Sequence, residues 1–166
     1  MALTVEHAKV LAQSTLADYE HERAATKRVI TAVPASGNDY APDARSMKAL
    51  DLAWHVAITE LFFLNAVCTG QFSRGENKRP DDIRNAQDVL AWYEKNTLPA
   101  LERAKGLSGE QLAKVVDFFG QIQLPAVSFL SLMVRHGVHH RGQLSAYLRP
   151  MGAKVPSIYG PSGDSK

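Results

Sequence analysis

The chain has 166 residues, 45% of them hydrophobic and 22% charged, which is ordinary globular usage at a length that suits one domain around one core. Nineteen basic residues against 17 acidic give a net charge of +2, so no strong field marks a nucleic-acid binder. One cysteine, Cys68, excludes an internal disulfide and any thiolate metal cluster within one chain, which leaves six histidines as the stock for metal binding or proton transfer.

The N-terminal segment MALTVEHAKVLAQ has neither the basic start nor the apolar run of a secretory signal. The longest apolar run, Leu61 to Leu64, is far short of the about 20 residues that cross a bilayer, so a cytoplasmic protein outside the membrane is expected. Thr4 predicts the N-cap of a first helix to Val33, with the stripe Ala8, Ala12, Leu16, Tyr19 and Ile30. His7 and His21 fall on its polar side. The string from Pro34 to Pro42 is turn chemistry throughout. Ser46 can cap a second helix to Val67, whose stripe of Leu52, His55, Ile58 or Thr59, Phe62 and Ala66 turns His55 inward. A polar stretch over 69–80 leads to a third helix over 82–105, which Pro99 should kink or shorten. Ser108-Gly-Glu-Gln111 has the form of a capping box, with Leu107 and Leu112 as its hydrophobic staple, and predicts one short helical turn. Gly120 and Pro125 introduce a fourth long helix over 125–148, ended by Pro150 and Gly152.

No run of alternating β-branched residues competes with these helices, so no sheet is expected. Helices of about 20 residues, each about 30 Å long, predict an all-α fold, an antiparallel four-helix bundle over residues 1–150. Residues 151–166 form an irregular Pro/Gly-rich tail. Its Val155, Ile158 and Tyr159 leave two readings open, a frayed end or a strap over the bundle or a partner subunit.

The chemistry concentrates in the fourth helix. His136 and His140 share one face with Phe129, Leu144 and Tyr147, and an i, i+4 pair brings two imidazoles close enough to share a cation. Gly137 stands where a zincin helix would carry its glutamate, which argues against peptidase chemistry. His55 supplies a third inward imidazole from another helix, and three imidazoles plus water make an open site suited to zinc or nickel. His139, at i+3 from His136, also fits one face, and periodicity does not choose between it and His140. Gly142 inside the helix points to close packing there.

The segment HGVHHRGQLSAYLR, from His136 to Arg149, resembles the C-terminal helix motif of the DinB family of bacterial proteins. Leu50-Asp-Leu-Ala-Trp-His55-Val-Ala resembles that family's first metal-ligand motif, about 80 residues earlier and in the right order, and the ending VPSIYGPSG is similar to the tail of one branch. The resemblance implies a DinB-like bundle with a divalent metal held by three histidines, which map to His55, His136 and His140. It reads His139 as a supporting or interface residue, Arg141 as a salt-bridge or dimer residue, and Gln143 as orienting a ligand or water. Similar proteins include S-transferases that use bacillithiol or mycothiol, a glutathione- or mycothiol-dependent isomerase, and members described only as metal-dependent hydrolases. The family name refers to induction by DNA damage, which does not imply DNA binding.

The function expected is a metal-dependent enzyme of thiol S-transferase or hydrolase type, acting on a small molecule with a metal-activated thiol or water and possessing no protein nucleophile. Its cofactors would be a divalent ion, zinc or nickel, and a low-molecular-weight thiol. A homodimer is expected from the resemblance. Tyr40, Trp54, Trp92, Phe118, Phe119 and Tyr147 are the aromatic residues that could shape the bundle mouth. The alternatives are a non-catalytic metal-binding module for stress response or ligand sensing, and a helical interaction protein using Phe72 or Tyr159.

Overall fold

Thr4 takes an extended backbone and its hydroxyl accepts the His7 amide, which starts helix α1 (Val5–Thr31) as the sequence predicts. The computed structural model describes residues 3–75 and 77–165. Helix α2 (Ala49–Thr69) begins later than expected: the Ser46 hydroxyl donates to the Asp43 carboxylate at 2.8 Å, and Lys48 holds the N-cap position with no side-chain bond to the helix amides, its ammonium being paired with Asp39. Gly70, with φ 72°, ends α2 in the left-handed conformation. Helix α3 (Ala86–Lys105) starts beyond the expected Asp82, where Asn85 and Asp88 form a reciprocal capping box. Pro99 does not shorten it. The Ser108–Gln111 box opens α4 (Gly109–Ala113), and both staple leucines are buried.

Two strands follow, β1 (Val115–Phe118) and β2 (Ile122–Pro125), paired antiparallel with Val116 opposite Leu124. They correct the expectation of no sheet. Four residues per strand are too few to show an alternating pattern, and a hairpin this short is not stable alone. Burial of Val116 against the core, with Phe118 and Leu124 packed beside it, holds it in place. Pro125 then caps α5 (Ala126–Leu148).

The four long helices pack in the cyclic order α1, α3, α2, α5. Cross-helix contacts fix their directions. Between α1 and α3, Lys27 meets Glu94 and Glu20 meets Lys105, an antiparallel pair. Trp54 meets Trp92, Glu60 meets Tyr93 and Asn65 meets Arg103, so α2 and α3 run parallel. The cores agree. One apolar cluster joins Leu16, Leu64, Leu101 and Leu130, the other Ile30, Leu52, Val89 and Leu148, and α1 and α5 traverse them in the same sense. Two of the four neighbouring pairs are therefore parallel, which corrects the expected all-antiparallel bundle. The reason is the segment over 70–85, which is long enough to carry the chain back along the bundle before α3 begins.

Between the two apolar clusters lies a polar layer. Arg23, Glu60, Thr97 and Arg141 are all buried there. Glu60 Oε2 accepts both phenols, Tyr19 at 2.7 Å and Tyr93, while Arg23 donates to Thr97 Oγ1 at 3.1 Å with its guanidinium over the Tyr93 ring. Helix α2 is long and apolar enough by composition to cross a membrane. It is the helix that carries Glu60 and His55 into this bundle.

The tail is a strap. Val155 and Ile158 pack on the apolar cluster at one bundle end, Arg28 Nε donates to the Ser157 carbonyl at 3.0 Å, and the Tyr159 hydroxyl bonds Glu22.

Candidate metal centre

The antiparallel contact of α2 and α5 brings His55 against His136 and His140, and their ligand nitrogens all lie within 4.8 Å of one another. Ring centroids are 4.4 Å apart for His136 and His140, 4.5 Å for His55 and His140, and 5.0 Å for His55 and His136. Nε2 of His55 is 3.3 Å from Nε2 of His136. Two nitrogens bound tetrahedrally at about 2.0–2.1 Å to one ion sit about 3.3 Å apart, so this pair has ligand spacing without rearrangement. All three rings are half-buried. The three residues singled out from the sequence thus meet at one point.

The other face of two of these rings, His140 and His55, has a polar neighbour. Nδ1 of His140 lies 3.1 Å from Gln143 Oε1, which as an acceptor puts the ring proton on Nδ1 and leaves Nε2 with its lone pair inward. Gln143 Nε2 donates to the Tyr147 hydroxyl at 3.3 Å, and Thr59 Oγ1 approaches His55 Nδ1 at 3.5 Å. Burial, then the neighbouring imidazoles, lowers the pKa of His136 to about 4, and burial acts first in lowering those of His55 and His140. These rings are therefore neutral near pH 7, the form that binds metal. Imidazole donors, convergent spacing and neutral rings together fit a divalent metal ion.

His139 is exposed and outside the cluster, although its ring stands edge-on to His140 at 4.8 Å. His7 and His21 are exposed on α1. Arg141 is buried and ion-paired with Glu22 at 2.5 Å. Gly142 corrects the sequence reading, since open space surrounds it, and the close approach is at Gly137, where a Cβ would lie 2.9 Å from Glu60 Oε1. Sequence reasoning also passed over Glu60 itself. A single acid in the apolar middle of α2 was the available signal.

A cleft of about 650 Å³ opens beside His55, between α2 and the crossover segment, lined by Met47, Asp51, Trp54, Lys78 and Arg79 among others. Arg79 fixes its wall by pairing with Asp51 at 2.8 Å and donating to the Ile83 carbonyl. Of the aromatic residues expected at the mouth, Trp54 is buried with its indole N–H on the Asn77 carbonyl, and Tyr147 is buried against Tyr40. Phe72 is half-buried among aromatic rings, whereas Tyr159 is 74% exposed. Cys68 faces the Ala100 carbonyl, away from the histidines, and burial raises its pKa.

Helices that face three imidazoles toward one point define a mostly helical protein with a candidate metal-ligand cluster. The DinB family profile matches residues 7–165, and the chain belongs to the DinB family. It is 30% identical to the uncharacterised protein YjoA of Bacillus subtilis over 116 residues, covering 68% of this chain and 73% of YjoA. It is 27% identical to the uncharacterised protein YrdA of the same organism over 149 residues, covering 89% and 87%. The crystal structure of YjoA, a DinB-like protein, aligns with a TM-score of 0.73 at 23% identity, covering 90% of this chain and 99% of that one. A DinB-like protein from Bacillus cereus aligns with a TM-score of 0.73 at 24% identity, covering 96% and 100%. These likenesses establish the fold.

Proposed function

We propose that His55, His136 and His140 hold one divalent ion, zinc or nickel, and that the protein is a metal-dependent enzyme of thiol S-transferase or hydrolase type. The observation that carries this reading is the 3.3 Å separation of two Nε2 atoms, with the third imidazole beside them, in half-buried rings. Such an ion supplies Lewis-acid chemistry that brings the pKa of a thiol or a water toward neutrality. The chain's own residues do the rest. Gln143 keeps His140 in the ligating tautomer, Thr59 steadies His55, and the Arg79–Asp51 pair holds the wall of a cleft large enough for a small-molecule substrate beside His55. No protein nucleophile is required.

Metal-loaded protein assayed with monochlorobimane and a panel of low-molecular-weight thiols tests the transferase branch, and a panel of activated esters and amides the hydrolase branch. Turnover that depends on added metal and disappears in His55→Ala supports the reading. Less than about one tenth of an equivalent of metal per chain after native purification would sink it. A second reading, a non-catalytic metal-binding module, draws on the ligands' origin in two facing helices, which an ion would staple together. Metal at full occupancy with no turnover on any panel would favour it. A cytoplasmic homodimer is part of the proposal; exposed Val10 and Leu11 on α1 offer a second copy apolar surface, and a monomer mass by light scattering would remove that part.

A further inference from the structure

The turn joining β1 to β2 carries a side chain at odds with its backbone. Phe119 has φ 54° and Gly120 φ 76°, and the Gln121 amide closes the turn on the Phe118 carbonyl at 3.0 Å. Consecutive left-handed residues in a hairpin turn favour Asn, Asp or Gly, and a residue with a Cβ adopts that conformation at a cost of about 1–2 kcal/mol. Phe119 is not among the residues of the buried cluster. Its neighbour Phe118 packs on the buried cluster, whereas the half-buried Phe119 ring faces other half-buried rings: Phe62, within 20° of parallel at 6.4 Å, and Phe72 at 6.0 Å. The Arg74 guanidinium carbon stands 5.2 Å from the Phe119 ring centroid.

The aromatic cluster reaches the histidines through the buried Phe63 ring. Phe62 is seven residues, about two turns and 10 Å, beyond His55 on the same face of α2, and the Phe63 ring lies 6.1 Å from that of His136. Strain retained at a half-buried turn residue, a cluster of half-buried rings beside it on the helix that carries His55, and a cation over the outer ring are properties of a ligand subsite.

We propose that Phe119, with Phe62 and Arg74, binds the aromatic, anion-bearing part of the small molecule that reacts at the three-histidine centre. The assignment rests on reading that centre as a small-molecule site. Naphthalene-1-sulfonate, which has both features, is the probe, titrated into the full chain and followed by backbone amide shifts. Wild-type shifts should centre on Phe119, Gly120 and Arg74. Phe119→Asn should melt at the wild-type temperature or above it, because Asn tolerates the turn, and should bind the probe about five- to tenfold more weakly, the scale of one aromatic contact. Arg74→Ala should also weaken it. His55→Ala should lose metal while holding the probe within about twofold of wild type, so failure of the metal reading and failure of the subsite are distinguishable. The subsite is overturned if wild type does not bind the probe, if Phe119→Asn leaves affinity unchanged, if Phe119→Asn melts several degrees lower, which would make the ring part of the fold, or if His55→Ala abolishes probe binding.

Discussion

Gly137 and Glu60 meet at the α2–α5 contact: a Cβ at position 137 would lie 2.9 Å from the Glu60 Oε1 atom. Carboxylates on flexible side chains usually move aside for a methyl group, but Glu60 is 3% exposed and its other oxygen accepts Tyr19 and Tyr93. The strain therefore passes to the helix separation that sets His136 against His55. Gly137→Ala should lower stability by about 1–3 kcal/mol in urea unfolding and weaken metal binding with it. Gly142→Ala, in open space on the same helix, should raise stability by about 0.5–1 kcal/mol. Equal effects at the two glycines would contradict the packing argument.

Gln143 is the contact that decides which nitrogen of His140 faces the cluster. Replacing it with alanine removes the acceptor for the Nδ1 proton and leaves the ring free to turn or to change tautomer. Calorimetric titration should show metal affinity lower by about 10- to 100-fold, with the melting temperature of the metal-free protein little changed. A drop in that temperature with unaltered affinity would reassign Gln143 to a purely structural role alongside Tyr147.

The histidine cluster is legible in part because its signals are local. An i, i+4 pair and an inward stripe need only helical periodicity, and His55 falls on its stripe whatever the helix directions, but periodicity leaves His139 open beside His140, and the resemblance to the DinB family is what favours His140. Local signals do not carry direction. Whether α2 and α3 run parallel is decided by the route of residues 70–85, whose polar composition gives a loop without giving its path. The Asn85 box was written in the sequence but overshadowed by Asp82 as a start. The meaning of Gly137 and Glu60 exists only once two helices touch, which is why close packing was assigned to Gly142.

Cys68 lies 13 residues beyond His55 on α2, about 20 Å along the axis, with its thiol toward α3 and half-buried. Cys68→Ser should leave metal stoichiometry and the thiol dependence of any turnover unchanged. Abolished turnover in a folded Cys68→Ser protein would mean that a protein thiol takes part.

Acid should destabilise the metal-free protein through the histidine cluster. Unfolded histidine titrates near about 6.5, whereas burial and the neighbouring imidazoles bring His136 down to about 4 in the fold. Between those values the unfolded chain binds protons that the native state refuses, so stability is present above the upper value and is lost as pH falls through the window. His55 and His140, also lowered, act in the same direction. Glu60 acts in the opposite one, because burial raises its pKa and the fold holds a proton that the unfolded chain releases. Comparison with His136→Gln cancels the Glu60 contribution. In chelator, the melting temperature of wild type should fall more steeply than that of His136→Gln between about pH 6.5 and 4.5. Parallel curves for the two proteins would show that His136 is not held neutral by the fold.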